Sequence, residues 1–287
     1  MTKKLGFILA GAIIIVVAGT LAILRDGPAP PPVHSANVDE ADPMIQAAVS
    51  ETLGQIEQDL GNAGLRIRLA QLYHANGLED AAEEAYLQAI AMDDEQPRWW
   101  HFLALHRSEA GDLEGAIEAG RMTIKLNDSY GSAHRRLGQW SLELGQLAEA
   151  SSHYDDAERA QPGHPLNAIG SARVRMEQGD DAAAVMMLER VTRNPQFRDI
   201  GYAHTLLSRA YRGLGRDDDA ARAAARGAGS KQVTDDPWLD DLLAMRTGYA
   251  GTINEADRLL ATGRTEDAIA RLNALRPEHP QDVTLLN

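Results

Sequence analysis

Two apolar patterns divide the chain. Between Leu5 and Leu24, 20 consecutive residues carry no charge. As a helix rising about 1.5 Å per residue they extend about 30 Å, the thickness of a bilayer core. From residue 63 onward the pattern is periodic instead. The spacing Gly-x4-Ala occurs at Gly77/Ala82, Gly111/Ala116, Gly145/Ala150, Gly179/Ala184, Gly215/Ala220 and Gly263/Ala268, and successive glycines are 34, 34, 34, 36 and 48 residues apart. A period of about 34 residues predicts a helix-turn-helix solenoid, in which each unit buries its apolar face only by stacking on its neighbours.

With Gly77 at position 15, the units fall at 63–96, 97–130, 131–164, 165–198 and 201–234, with a last one at about 249–282. Position 20 is then alanine in all six, and position 8 is small in all six (Ala70, Ala104, Gly138, Ala172, Ser208, Ala256). Small residues at both places predict that the two antiparallel helices of a unit cross there, where bulk would force them apart. The fourth unit carries Ala168 and Ser171 where large apolar residues are expected, which predicts looser packing. About 14 extra residues lie between Gly215 and Gly263. They include Asp236-Pro237-Trp238-Leu239, which reads either as an inserted helix or as the opening of a degenerate sixth unit.

Ahead of the repeats, residues 25–43 are rich in proline, alanine and acidic residues and read as an extended, semi-stiff spacer. Asp42 and Pro43 suit the cap and first position of a helix reaching about Leu60, within an N-terminal segment at 44–62. Its apolar face is Ile45, Val49, Leu53, Ile56 and Leu60. The run at 5–24 exceeds the apolar part of a signal peptide and lacks a small-x-small cleavage site, so it is expected to be an uncleaved anchor. Lys3 and Lys4 in the short segment 1–4 place that end in the cytoplasm and the remainder outside, which is the periplasm in a Gram-negative cell. The expected location is thus the bacterial inner membrane, crossed once.

Several segments resemble the tetratricopeptide repeat family. Trp100-x2-Leu103-Ala104, Leu137-Gly138 and Leu69-Ala70-x2-Tyr73 match the first half of its pattern, W-x2-L-G-x2-Y. Ala82-x3-Tyr86 and Ala150-x3-Tyr154, the latter followed by Pro162, match the second half. The likeness covers about residues 63–282, so residues 63–287 are expected to form five to six repeats. It implies an all-α solenoid of antiparallel helix pairs with a right-handed superhelix. It also implies a concave groove lined by positions 2, 5, 9, 12 and 13 of each first helix. Those positions hold Arg98, His101, Arg135, Gln139, Arg173, Arg209 and Arg212, with Glu109, Glu143 and Glu177 at one edge.

Partners implied by the resemblance are proteins or peptide segments. Arg135, Arg173 and Arg209 fall on successive first helices, and a guanidinium offers a two-pronged donor to a carboxylate, so an acidic segment or a C-terminal carboxylate fits the line. The alternative is that these arginines solvate a helix face or pair with the neighbouring glutamates. A membrane anchor followed by periplasmic repeats resembles the plan of a secretion-translocon ancillary subunit and of a cytochrome c maturation factor. A structural assembly factor for a pilus or polysaccharide exporter is the alternative reading.

Composition narrows the remaining chemistry. The net charge is −14, which argues against nucleic acid as a partner. The chain has no cysteine and so no disulfide, thiolate nucleophile or thiolate metal site. Phosphate-loop, nucleophile-elbow and H-E-x-x-H motifs are absent, and neither an enzyme activity nor a cofactor is expected. His101 and His106 are five apart and share no tight helix face. His134 and His204 both hold position 4, where a packing role is favoured over metal ligation. Asp93-Asp94-Glu95 and Asp217-Asp218-Asp219 read as helix-end charges rather than a calcium loop. Trp99, beside the core position Trp100, either covers the preceding unit or stands exposed to a partner.

Overall fold

The computed structural model describes residues 29–198, 200–230 and 235–275, and among them the regular structure is fourteen α-helices and one 3-10 turn. The apolar run Leu5–Leu24, the four residues before it, residues 25–28 of the spacer and the last twelve residues lie outside the described residues. Among the described residues no helix is long and apolar enough to cross a membrane. Helix α1 is Pro43–Gln58. Five pairs follow: α2 (Ala63–Ala75) with α3 (Glu79–Met92), α4 (Pro97–Glu109) with α5 (Leu113–Leu126), α6 (Gly131–Glu143) with α7 (Leu147–Ala160), α8 (Pro165–Glu177) with α9 (Asp181–Arg193), and α10 (Gly201–Gly213) with α11 (Asp217–Gly227). The short α12 (Pro237–Leu243) precedes a last pair, α13 (Gly248–Ala261) and α14 (Thr265–Leu275), so the extra residues form a separate helix before the final pair.

The repeated glycine ends each first helix. Gly77, Gly111, Gly145, Gly179, Gly215 and Gly263 all have positive φ, between 69° and 84°. That left-handed conformation costs an L side chain energy but is open to glycine. The next N–H then turns back onto the helix; in α6, Gln146 N–H donates to the Ser141 carbonyl at 2.8 Å. The repeated alanines are buried to 2% exposure or less, as are Ala70, Ala104, Ala172 and Ala256 at position 8.

A second regularity is a clamp at the start of each first helix in the five regular pairs. A side-chain N–H donates to the carbonyl six residues earlier: Arg66 to Leu60 (3.0 Å), Trp100 to Asp94 (2.9 Å), His134 to Asp128 (2.9 Å) and His204 to Arg198 (2.9 Å). In the fourth pair position 4 is Ala168, and Asn167 one residue earlier donates to Gln161 at 2.8 Å instead. Position 4 is therefore a donor site as well as a packing site, tying the inter-unit loop to the next helix.

The described chain divides into two compact units. One comprises residues up to Phe102 and from Trp238, and the other is Leu103–Pro237. In the first, Asp42 accepts from Met44 N–H at the start of α1, and Val49, Thr52 and Ile56 are buried. Leu60 falls beyond the end of the helix and is exposed. The described part of the proline-rich spacer is no free tether: it lies on α2 and α3, with Val33 and Ser35 buried. Tyr73 OH donates to the Val33 carbonyl at 2.9 Å, the Arg66 guanidinium to that of Pro30, and Ser35 OH to Asp80 at 2.8 Å. Pro30 lacks an N–H group but keeps a free carbonyl, which meets the Arg66 guanidinium.

The second unit carries a core built from α8 to α11, including Ile169, Leu188, Leu207 and Tyr211. Fourth-pair packing is not slack: Ile169, Ala172 and Leu188 are at most 3% exposed. Tyr154 of α7, 3% exposed, is received between two glycines. A Cβ added at Gly138 would lie 3.0 Å from its ring, and one at Gly170 only 2.0 Å.

Candidate functional site

The side chains of α6, α8 and α10 in the second unit form a cleft. Arg173 and Tyr202 line two neighbouring depressions: one of about 50 Å³ with Tyr154, Ile169 and Gly170 among its walls, the other of about 190 Å³ with Glu143, Glu177 and Arg209. Gly170 is what lets α8 approach the Tyr154 ring here. Burial of that ring raises the Tyr154 hydroxyl pKa to about 12, so the phenol is neutral.

The first depression already holds an acidic segment of the chain. Ser132 Oγ and Arg135 Nη2 donate to the backbone carbonyl of Asp235 at 2.8 and 2.9 Å. His164 Nε2 lies 2.7 Å from the Asp235 carboxylate. Tyr130 OH donates to Asp236 Oδ1 at 2.6 Å, and Arg136 Nε reaches Oδ2 at 3.4 Å. Asp236 is buried at 3% exposure, so its charge needs these donors. Burial, with the Arg135 charge adding, lowers the His164 pKa against the pull of Asp235; its contact is then a hydrogen bond from a neutral ring.

The residues expected to line a groove have separate fates. Arg135 is 8% exposed and is spent internally on Asp235, Ser132 and Gln161, so it cannot offer its guanidinium to a partner. His101 is fully buried, its ring edge-on to Trp238 at 5.5 Å, and is likewise not a groove residue. Their placement on first helices is right, but the burial of each follows from segments after α11 that the period does not contain. Arg98 pairs with Asp241 at 2.6 Å and lies over the Phe102 ring. Gln139 donates to Glu143 at 3.0 Å, and Arg209 pairs with Glu177 at 2.9 Å, the neighbour-pairing alternative. Arg173 is half-buried and has no hydrogen-bond or ion-pair partner among the described residues, and the same holds for the exposed Arg212. Trp99 is half-buried. Sequence reasoning missed Tyr130, Arg136, His164 and Asp236; the only signal was the run Asp235-Asp236-Pro237 breaking the period.

The sequence matches the tetratricopeptide repeat family over residues 67–130 and 103–165. Cellulose synthase operon protein C of Xanthomonas axonopodis pv. citri (strain 306) is 25% identical over 236 residues, 77% of this chain. The chain spans only 15% of that protein's length. Among solved structures, a tetratricopeptide repeat protein from Parabacteroides merdae ATCC 43184 superposes with a TM-score of 0.57 at 13% identity, over 94% of this chain and 95% of that one. YrrB, described as a tetratricopeptide repeat protein with an unusual peptide-binding site, gives a TM-score of 0.52 at 14% identity over 63% and 92% of the two chains. MamA from Desulfovibrio magneticus RS-1 gives 0.52 at 15% identity over 57% and 92%. At these identities the structural likeness establishes the fold. The chain carries tetratricopeptide repeats: residues 67–165 belong to that family by sequence, and the helix pairs beyond them share its fold.

Proposed function

We propose that this chain is a non-enzymatic scaffold, held at the bacterial inner membrane by residues 5–24, that takes an acidic peptide segment or chain terminus of a partner protein into the cleft of α6, α8 and α10. The observation that carries this reading is the state of Arg173. Arg135 and Arg209 are matched internally, while Arg173 stands in the wall of both depressions without a hydrogen-bond or ion-pair partner among the described residues, next to a place where an aspartate pair of the chain is already received. A carboxylate docking there gains charge-assisted hydrogen bonds, each worth about 1.5–3 kcal/mol when sheltered from water. It also meets the half-buried Tyr202 ring for apolar contact.

The test is photocrosslinking of the full chain in intact membranes, comparing wild type with Arg173→Glu. We expect the charge reversal to abolish partner capture with helicity and melting unchanged, and moderate salt to weaken the wild type. Capture that survives the reversal would overturn the assignment of this cleft.

A second reading, an assembly factor for an envelope machine such as a polysaccharide exporter, is favoured by the likeness to cellulose synthase operon protein C. Fixed stoichiometric co-purification with one complex would select it. A secretion or cytochrome-maturation chaperone would instead capture many weak clients.

A further inference from the structure

Away from the cleft, the pair α6–α7 brings together two imidazoles and a carboxylate. One ligand atom each of His134, His153 and Asp156 lie within 4.8 Å of one another. The two histidine rings are 6.3 Å apart between centroids and tilted by 39°. Both Nδ1 atoms are buried with no hydrogen-bond partner. A buried ring nitrogen without a partner is costly, and it is a lone pair available to a metal.

The helix-start clamp settles which nitrogen of His134 is available. His134 Nε2 lies 2.9 Å from the Asp128 carbonyl, the same place in the unit where Trp100, a donor only, puts its indole N–H. His134 Nε2 thus carries the hydrogen and Nδ1 the lone pair. Donation of the second ring N–H to a carbonyl is how metal-bound histidines are held in orientation. His153 and Asp156 are three apart on α7 and so face the same way.

From this geometry we infer that His134 Nδ1, His153 and Asp156 form a site for a borderline divalent cation of the zinc, cobalt or nickel type, with water completing its coordination. Two nitrogens and one oxygen suit such ions rather than magnesium or calcium, which prefer all-oxygen shells. Around a tetrahedral ion at about 2.0–2.2 Å the ligand atoms stand about 3.3 Å apart, so modest side-chain rotation closes the set. The charges facing it are Arg159, Arg121, Glu149 and Asp128. Arg159 pairs with Asp156 but its side chain is 77% exposed, so moving it aside costs little. Burial, aided by the nearby His134 ring and the Arg121 charge, depresses the His153 pKa to about 4 against the opposing pull of Glu149.

The test is calorimetric titration of zinc into the full chain in mild detergent, with cobalt absorption as a second readout. We expect one equivalent bound, with affinity falling at least tenfold in His153→Gln and in Asp156→Asn. His204→Gln, which alters the corresponding clamp in another pair, should leave binding intact. Zinc binding that is absent, equal in wild type and His153→Gln, or reduced as much by His204→Gln would overturn the site. Both histidine and aspartate variants lie at half-buried positions, and unchanged helicity confirms that they fold.

Discussion

Arg135 Nη2 donates to the carbonyl of Asp235 at 2.9 Å, joining α6 to the segment after α11 across 100 residues of chain. The guanidinium also reaches Ser132, Gln161 and Asn167, so four acceptors depend on it. Burial lowers its pKa while Asp235 and Asp236 oppose that shift. We expect Arg135→Ala to destabilise the fold by about 1–3 kcal/mol, since buried acceptors are left unmatched. Arg173→Ala, which removes no hydrogen bond or ion pair among the described residues, should stay within about 0.5 kcal/mol. Denaturant unfolding of the two variants decides this; equal losses would mean that Arg173 is structural too.

Ala150 is fully buried at the crossing of α6 and α7, whereas Ala148 is exposed two residues earlier. Ala150→Leu should overpack the pair and cost about 1–3 kcal/mol. Ala148→Leu should be close to neutral. Comparing their melting temperatures checks the 34-residue register directly.

Gly170→Ala places a methyl 2.0 Å from Tyr154 Cε1, and the ring is buried at 3% exposure with Gly138 on its other side. We expect a loss of about 1–3 kcal/mol or more. In a double-mutant cycle, Tyr154→Leu should relieve part of that loss, giving a coupling of about 0.5–3 kcal/mol. Strict additivity would show that the two residues do not meet.

His153 gives the pH dependence a sign. Its folded pKa, about 4, lies below the ordinary 6.5, so between those values the unfolded chain takes up a proton that the folded one refuses. Stability contributed by the neutral ring is full above pH 6.5 and is lost as pH falls toward 4. The shift corresponds to at most about 3 kcal/mol. In metal-free solution, His153→Gln should flatten the stability profile across this window. A profile identical to wild type would remove His153 as the cause.

For topology, Lys3 and Lys4 ahead of the apolar run lead us to expect that a reporter active only in the periplasm, fused after Asn287, is active. A cytoplasm-only reporter working there would reverse the assignment.

The helix pairs were legible in the sequence because each rests on local chemistry: a glycine for a left-handed turn and an alanine for a close crossing, repeated often enough to fix the register. What the period could not show was anything brought in from outside it. Asp236-Pro237 reads as the start of a helix, and α12 does begin there, yet the preceding aspartates also turn into the cleft and bury Arg135. The spacer at 30–36 was legible as extended but not as docked, since Arg66 and Tyr73 carry no sign of whose carbonyls they meet. His134 and His204 look alike by position; only the neighbouring α7 residues His153 and Asp156 set them apart.

Asp235 and Asp236 belong to the same molecule whose cleft they occupy, and so are never diluted away. A tethered group of this kind stands at an effective concentration of order millimolar. A soluble acidic ligand that uses the same donors must exceed that standing competitor before it registers at all. On the proposed reading of the cleft, dilute single carboxylates would thereby be filtered out. Ligands that succeed would carry several acidic groups in a row, or reach beyond the resident pair to Arg173 and Tyr202. The aspartate pair would then act as a threshold on which partners the repeats hold.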